Sequence, residues 1–204
     1  MKGTRNIFLL VLGAIILILF VWGCSGYNGL VKKDESVKNM WANVQSSYQR
    51  RADLIPNLVN TVRSEATFEQ QTLIQTIEAR YKNLSTVKID AANLNNETFQ
   101  KFQQAQGELS GALQRLMVVV ENYPNLKSNE GFRALMTELS GTENRINKAR
   151  DDFNEVVNSY NVGVRSFPMN LFAGMFGFKK KDSFTASPEA QEAPKVPENI
   201  MEPK

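Results

Sequence analysis

Apolar side chains recur at helical spacing along most of the chain. Between residues 37 and 62 the steps alternate between four and three, which places these side chains on one face of a helix. The positions are Val37, Trp41, Val44, Tyr48, Arg51, Ile55, Leu58 and Val62, with Arg51 the one charge among them. Three further stripes lie at residues 73–84, 99–123 and 132–164. No segment has the pattern of a strand, and Pro56 is expected to kink or break the first helix because proline has no amide hydrogen.

Capping and turn residues separate the stripes. Residues Thr67 to Gln70 fit a capping box that would open the second helix, and polar residues 85–96 connect it to the third. Pro124 stops the third helix, and residues 128–131 restart the chain. Short connections make neighbouring helices antiparallel. The sequence therefore predicts an all-α fold, an N-terminal membrane helix followed by an antiparallel up-and-down four-helix bundle.

The N-terminal segment is the most apolar part of the chain. Residues 7–22 carry no charge, and residues 23–26 extend the run to twenty. At about 1.5 Å per residue, such a run spans a hydrocarbon core of roughly 30 Å. Lys2 and Arg5 precede it. The positive-inside bias mildly favours a cytoplasmic N terminus, with the bundle on the extracytoplasmic side.

Two interpretations of residues 1–26 stay open. One is an uncleaved, single-pass anchor in a bacterial cell membrane. The other is a lipoprotein-type signal, in which Cys24 is acylated and becomes the new N terminus. Trp22 fits that cleavage box poorly, because a small residue is usual at this position. In both interpretations the chain is tethered to a membrane.

The stretch after the last helix also has a membrane-related composition. Four helices return the chain to its starting end, so residues 167–181 should lie near the membrane, and phenylalanines followed by lysines suit a lipid interface. The residues expected to meet lipid are Phe167, Leu171, Phe172, Phe176, Phe178, Lys179, Lys180 and Lys181. The segment could instead fold back over the open end of the bundle, residues 27–166. Residues 182–204 are rich in proline and glutamate, and we expect them to be disordered.

Composition excludes several kinds of chemistry. The 204 residues include no histidine and one cysteine, so histidine-ligated metals, serine–histidine or cysteine–histidine nucleophile pairs and an intramolecular disulfide are all ruled out. The net charge of +3 implies no nucleic-acid partner. Carboxylates are scattered, and no glycine-rich phosphate loop is found. We therefore expect no cofactor, no metal and no enzymatic activity.

One pair of charges falls on the apolar stripes. Arg51 interrupts the first stripe and Glu143 lies within the last, and an unpaired charge there would be very unfavourable. We expect an Arg51–Glu143 pair, with Arg50, Asp53 and Arg145 as outer members. The pair would either fix the register of the helices or form a polar pocket for a ligand carboxylate or a partner's charge.

Two long motifs resemble the signature of the LemA family. They are QRRADLIPNLVNTV at residues 49–62, and ELSGTENRI with ARDDFN at residues 138–154. Four shorter motifs also match the family in order: Tyr-Asn at residues 27–28 and 160–161, Phe-Pro at residues 167–168 and Phe-Gly-Phe at residues 176–178. The resemblance covers roughly residues 1–180 and departs at residues 23–25. It implies a bacterial, membrane-tethered four-helix bundle without an established enzymatic activity.

These observations favour an interaction module, an adaptor or scaffold of the bacterial envelope that contacts another envelope or membrane protein. The resemblance supports such a partner, because genes of this family often sit beside genes for other membrane proteins. The alternative is a binding protein for a peptide, lipid or cell-wall fragment, held around Arg51 and Glu143. An open polar cleft at Arg51 would favour the second function, and a closed core with an exposed apolar patch would favour the first.

Overall fold

The fold consists of helices throughout the part of the chain that can be described. The computed structural model describes residues 2–64, 68–86 and 97–185, apart from the side chains of residues 2–9, 15–16, 18–20, 68–70, 85–86 and 98. The helices are α1 (Lys2–Arg63), α2 (Phe68–Thr86), α3 (Glu97–Val120), α4 (Pro124–Ser128) and α5 (Glu130–Arg165), followed by a 3-10 turn at Met169–Leu171. These ranges contain no strand, which confirms the predicted all-α class. The start of the capping box at Thr67, most of the polar connection and residues 186–204 lie outside them.

Helix α1 is longer than either segment predicted for it. It joins the apolar N-terminal residues and the first stripe in one helix of 62 residues, and Pro56 lies inside it. Of the kink or break expected at Pro56, the break is therefore wrong. The proline ring sits on the exposed side of the helix, while the neighbouring Ile55 and Leu58 are buried. Packing on that buried face maintains the helix although one backbone hydrogen bond is missing.

A membrane-spanning helix was expected over residues 1–26. Within the described ranges, no helix is both long enough and apolar enough to cross a membrane. Many side chains of the expected anchor are not among those that the structure describes. The anchor therefore stays a prediction.

Helix α1 packs along α5 in the opposite direction. Near the middle of α1, the Lys33 Nζ donates to the backbone carbonyl of Ser159 at 3.0 Å. Further along α1, Arg51 contacts Glu143. Gly163 lets the two helices approach closely, because a Cβ atom at this position would lie 3.0 Å from a methyl carbon of Leu30.

Helix α3 runs beside α1 in the same direction. The rings of Trp41 on α1 and Phe99 on α3 lie 5.8 Å apart. Further toward the C-terminal end of both helices, Arg51 donates to Ser110. Helix α2 packs on α3, and an ion pair between Arg80 and Glu108 joins them at 2.6 Å.

The core has an aliphatic part and an aromatic part. The aliphatic part lies where α1, α2, α3 and α5 meet beyond Leu54. The aromatic part contains seven buried rings, one of which is Tyr160. We call the other six the aromatic cluster: Trp41, Tyr48, Phe99, Phe102, Phe153 and Phe184. All eight positions of the first predicted stripe are buried, Arg51 included. The hydrophobic spacing thus identified the buried face of α1 correctly.

Candidate functional site

Arg51 lies at the centre of a buried polar cluster. Its side chain is 2% exposed, and its Nη1 donates to Ser110 Oγ at 2.6 Å and to Glu143 Oε2 at 2.9 Å. Its Nη2 donates to Gln106 Oε1. We call these four residues the buried arginine cluster. Because they come from α1, α3 and α5, the cluster ties three helices together at one level.

The cluster is closed by the chain's own side chains. Both terminal nitrogens of Arg51 bind acceptors within the protein, and the Tyr48 ring lies 5.1 Å from its guanidinium carbon. Glu143 reaches the cluster from the surface, since its side chain is 41% exposed. The arrangement fits a contact that fixes the alignment of the helices. A ligand carboxylate would need guanidinium N–H donors, and those of both terminal nitrogens already bond to acceptors of the protein.

Sequence reasoning missed Gln106 and Ser110. A signal for Gln106 was present, because it occupies a step of the apolar stripe of α3, four residues after Phe102 and three before Leu109. A polar side chain at such a position is expected to find a partner in the core. Ser110 lies next to the stripe and carries no comparable signal.

The expected outer members do not surround Arg51. Arg50 pairs with Glu138 at 3.3 Å on the surface, and Asp53 accepts a hydrogen bond from Gln49 at 2.7 Å. Arg145 is exposed and lines a shallow groove. Neighbours one or two positions away along a helix point to different sides, which explains why these charges face solvent. In the described residues, no group of three or more acidic or cysteine side chains forms a metal site.

Residues 179–185 form a second arrangement that the sequence did not predict. On α5, Asn161 Nδ2 donates to the carbonyl of Lys181 at 2.8 Å, and its Oδ1 accepts from the N–H of Lys181 at 2.9 Å. Asn154 holds Phe184 in the same way, at 3.0 Å and 2.8 Å. We call residues 179–185 the C-terminal clasp. The expectation of disorder from residue 182 onward is wrong for residues 182–185, because the backbone of Phe184 and Thr185 is hydrogen-bonded and Phe184 is buried.

Side chains of the clasp are also anchored. Lys181 Nζ lies 2.9 Å from Asp34 Oδ1, and both groups are largely buried. Phe184 is 5% exposed, and its ring lies 5.0 Å from that of Phe99 in the aromatic cluster. The guanidinium carbon of Arg150 lies over the Phe184 ring, 4.7 Å from its centroid. The clasp therefore completes the aromatic core.

Two pKa values respond to this packing. Burial alone would raise the pKa of Asp34, but hydrogen bonds from Lys181 and Lys38 outweigh burial, so the pKa lies below its usual value. Burial raises the pKa of Tyr160 to about 12, with a smaller contribution from the charge of Asp34. The Tyr160 hydroxyl donates to the carbonyl of Lys179 at 3.0 Å.

The phenylalanine-rich segment, residues 167–178, packs against α1 around residues 27–30. Met169 and Ala173 pack on Leu30, and the ring of Tyr27 lies 5.2 Å from that of Phe176. The contact with lipid that was expected for this segment stays a prediction.

The residues expected to meet lipid divide into two groups. Phe167 is 78% exposed, and Leu171, Phe176, Lys179 and Lys180 are exposed as well. Phe172 and Phe178 are half-buried, and Lys181 is buried. Lys181 is a correction to the prediction, because its ammonium group binds Asp34 within the protein. Cys24, the residue considered for lipidation, is exposed on α1.

A separate apolar groove lies between α2 and α3. Its volume is about 810 Å³, and it is lined by Thr72, Leu73, Thr76, Gly111, Gln114, Arg115, Val118 and Val119. Val118 is 68% exposed, and the neighbouring Met117 is exposed as well. Apolar side chains thus remain open to solvent on this face.

Comparisons with known proteins give a family match and several sequence relatives. The LemA family model matches residues 40–197. The magnetosome proteins MamQ 1 and MamQ 2 of Paramagnetospirillum magneticum are each 29% identical to this chain over 178 residues, which is 79% of this chain and 65% of theirs. Protein LemA of Metamycoplasma hominis is 21% identical over 186 residues, which is 91% of this chain and 81% of that protein. The chain therefore spans about 65% of the length of the MamQ relatives.

The fold and the buried arginine cluster define the class of protein. This is an all-helical protein whose long helices are joined by a buried charged contact. The extent of the family match then identifies it: the chain belongs to the LemA family.

Proposed function

We propose that this chain is a membrane-tethered helical-bundle interaction module, an adaptor or scaffold of the bacterial envelope without catalytic activity. One observation carries the proposal. The guanidinium group of Arg51, which could have bound a ligand in an open cleft, is instead bonded to acceptors of the chain itself. Apolar side chains such as Phe167 and Val118, in contrast, remain exposed. Exposed apolar surface of this kind is typical of sites that contact proteins or membranes.

The proposed membrane contact is at the end of the molecule where α1 begins. Exposed apolar side chains lie along this part of α1: Leu10, Val11, Leu12, Leu17, Val21 and Trp22. Trp22 and Phe172 line the same small cavity, so the phenylalanine-rich segment lies beside this part of α1. Tryptophan and phenylalanine at such a position suit the boundary between lipid and water.

The proposed arrangement is a single-pass anchor with the helical bundle outside the cytoplasm. The antiparallel pair α1–α5 and the parallel pair α1–α3 support the up-and-down order of the bundle. Attachment through an acylated Cys24 is the alternative form of the tether. Mass spectrometry of the mature N terminus distinguishes the two.

The proposed partner surface is the groove between α2 and α3. It is tested in living cells by placing a photo-crosslinking amino acid at Val118, with the exposed Asn158 of α5 as the matched control position. We expect a discrete crosslinked envelope protein from position 118 and none from position 158. The same products from both positions, or none from either, would contradict the proposed partner surface.

The other candidate function is binding of a peptide, lipid or cell-wall fragment around Arg51 and Glu143. The hydrogen bonds from Arg51 to Gln106 and Ser110 weigh against it, because a ligand would have to displace acceptors that are already buried. An interaction module therefore accounts better for the geometry.

A further inference from the structure

The C-terminal clasp occupies a groove that has the geometry of a peptide site. Asn154 and Asn161 are seven residues apart on α5, a separation of about 10.5 Å along a helix axis. Lys181 and Phe184, the residues that they hold, are three apart, which is roughly 10 Å in an extended chain. The two spacings match, so two side-chain amides pair with two backbone positions of an extended segment that runs opposite to α5.

The recognition has a general part and a specific part. Each asparagine binds one N–H and one carbonyl, as a neighbouring strand would, and these contacts do not depend on the bound side chain. Specificity comes from the side chains. The carboxylate of Asp34 binds a cation, and the aromatic cluster encloses a phenyl ring three residues further on.

The resident segment leaves one group in the groove without a partner. Trp41 forms part of the floor, since its ring stacks on Phe184 at 6.2 Å. Its Nε1 is buried and has no hydrogen-bond acceptor among the residues that the structure describes. A buried donor without an acceptor is unfavourable. A bound segment that offers an acceptor at this point would gain a contact that the resident segment lacks.

We propose that the groove between α1, α3 and α5 is a peptide-recognition site for an extended partner segment that carries a lysine and, three residues later, a phenylalanine. The chain's own clasp is its resident ligand, and a partner's segment takes the site when the clasp leaves. This site is distinct from the α2–α3 groove and from the membrane contact, so the proposal does not depend on either.

The test uses the full chain with its resident anchors removed, as the double variant Lys181→Ala and Phe184→Ala. The probe is a fluorescein-labelled peptide with the sequence of residues 178–186, FKKKDSFTA, and binding is measured by anisotropy. We expect the variant to bind the peptide at least about tenfold more tightly than the wild-type chain, whose tethered segment competes at an effective concentration in the millimolar range. A peptide in which alanine replaces the phenylalanine of position 184 should bind at least about tenfold more weakly.

Further variants distinguish recognition from nonspecific adhesion. Adding Asn154→Ala and Asn161→Ala to the emptied chain should abolish binding, whereas adding Asn158→Ala, at an exposed position of the same helix, should leave it unchanged. A folded, emptied chain that binds no peptide, or that binds equally well without the two asparagines, would overturn the proposal.

A second measurement covers the case in which the emptied chain fails to fold. In the wild-type protein, hydrogen exchange should be slower at the backbone amides of Lys181 and Phe184, which donate to the asparagines, than at those of Asp182 and Ser183. Unlabelled peptide at millimolar concentration should displace the clasp and accelerate exchange at the two protected amides several-fold. Unchanged exchange at saturating peptide would contradict a site that accepts a segment from another chain.

Discussion

Asp34 of α1 and Lys181 of the C-terminal clasp form a largely buried ion pair with a separation of 2.9 Å. Lys38, one turn further along α1, approaches the same carboxylate at 3.1 Å. Asp34 therefore carries a charge that connects the C-terminal clasp to the first helix. The clasp is an integral part of the fold, and its contacts can be tested by titration and by substitution.

Stability should depend on the charge of Asp34. Replacing Asp34 with Asn leaves the ammonium group of Lys181 buried without its counter-charge, and we expect a loss of about 1–3 kcal/mol in the free energy of unfolding at pH 7. Because the folded protein lowers the pKa of Asp34, this contribution is present above the ordinary value of 3.8 and is lost as the pH falls through the lower folded value. Urea denaturation of both proteins from pH 7 to pH 2.5 measures the difference. A gap between them that stays constant with pH would contradict this assignment.

A second dependence on pH should appear in alkaline solution. Burial raises the pKa of Tyr160 from 10.0 to about 12, so the unfolded chain loses this proton at lower pH than the folded protein does. Stability due to the neutral hydroxyl is fully present below pH 10 and is lost as the pH rises toward about 12. The free energy of unfolding should therefore fall more steeply with pH in the wild-type protein than in Tyr160→Phe. Parallel curves for the two proteins would argue against a buried, hydrogen-bonded hydroxyl.

The buried arginine cluster should contribute strongly to stability. Arg51→Met removes the donor that serves Gln106, Ser110 and Glu143, and we expect a loss of roughly 2–4 kcal/mol in urea denaturation. Arg50→Met is the matched control, since its exposed pair with Glu138 should be worth less than about 1 kcal/mol. If Arg51→Met is as stable as the wild type, the cluster does not hold the helices in register.

Phe184 should behave as a core residue although it lies outside the helices. Truncation to Ala leaves a cavity beside Trp41 and Phe99, and the expected loss is about 3–5 kcal/mol. Phe167→Ala, at a position that is 78% exposed, should change stability by less than about 0.5 kcal/mol. Thermal and urea denaturation of the two variants give the comparison, and equal effects would mean that the clasp is not part of the cooperative core.

Helical spacing was sufficient to predict the main core. The stripe of α1 and most positions of α3 and α5 are buried, because a period near 3.6 directly encodes which side of a helix faces inward. The Arg51–Glu143 contact followed from the same periodicity, since two charges on facing apolar stripes require partners. The burial of residues within a stripe was thus predictable from their spacing in the sequence alone.

The clasp was not predictable in this way. Residues 179–185 have no periodic pattern, and their backbone is held by asparagine side chains whose spacing matters only once an extended segment lies beside them. Phe184, the aromatic anchor of the clasp, lies within a segment whose proline- and glutamate-rich composition indicated disorder. Contacts between side chains and irregular backbone leave no signal at a fixed sequence interval. The exposed Asn43 and the buried Asn161 are equally ordinary in the sequence, and only the fold distinguishes them.

The most direct test of the proposed membrane tether uses the chain's two tryptophans, Trp22 and Trp41. Trp22 is exposed at the proposed lipid boundary, whereas Trp41 is buried in the aromatic cluster. The full chain is reconstituted into vesicles with and without brominated phospholipid, beside the variant Trp22→Phe. The account predicts that brominated lipid quenches the Trp22 share of the wild-type emission and leaves the emission of Trp22→Phe unchanged. Equal emission from the wild-type protein in both kinds of vesicle would contradict it.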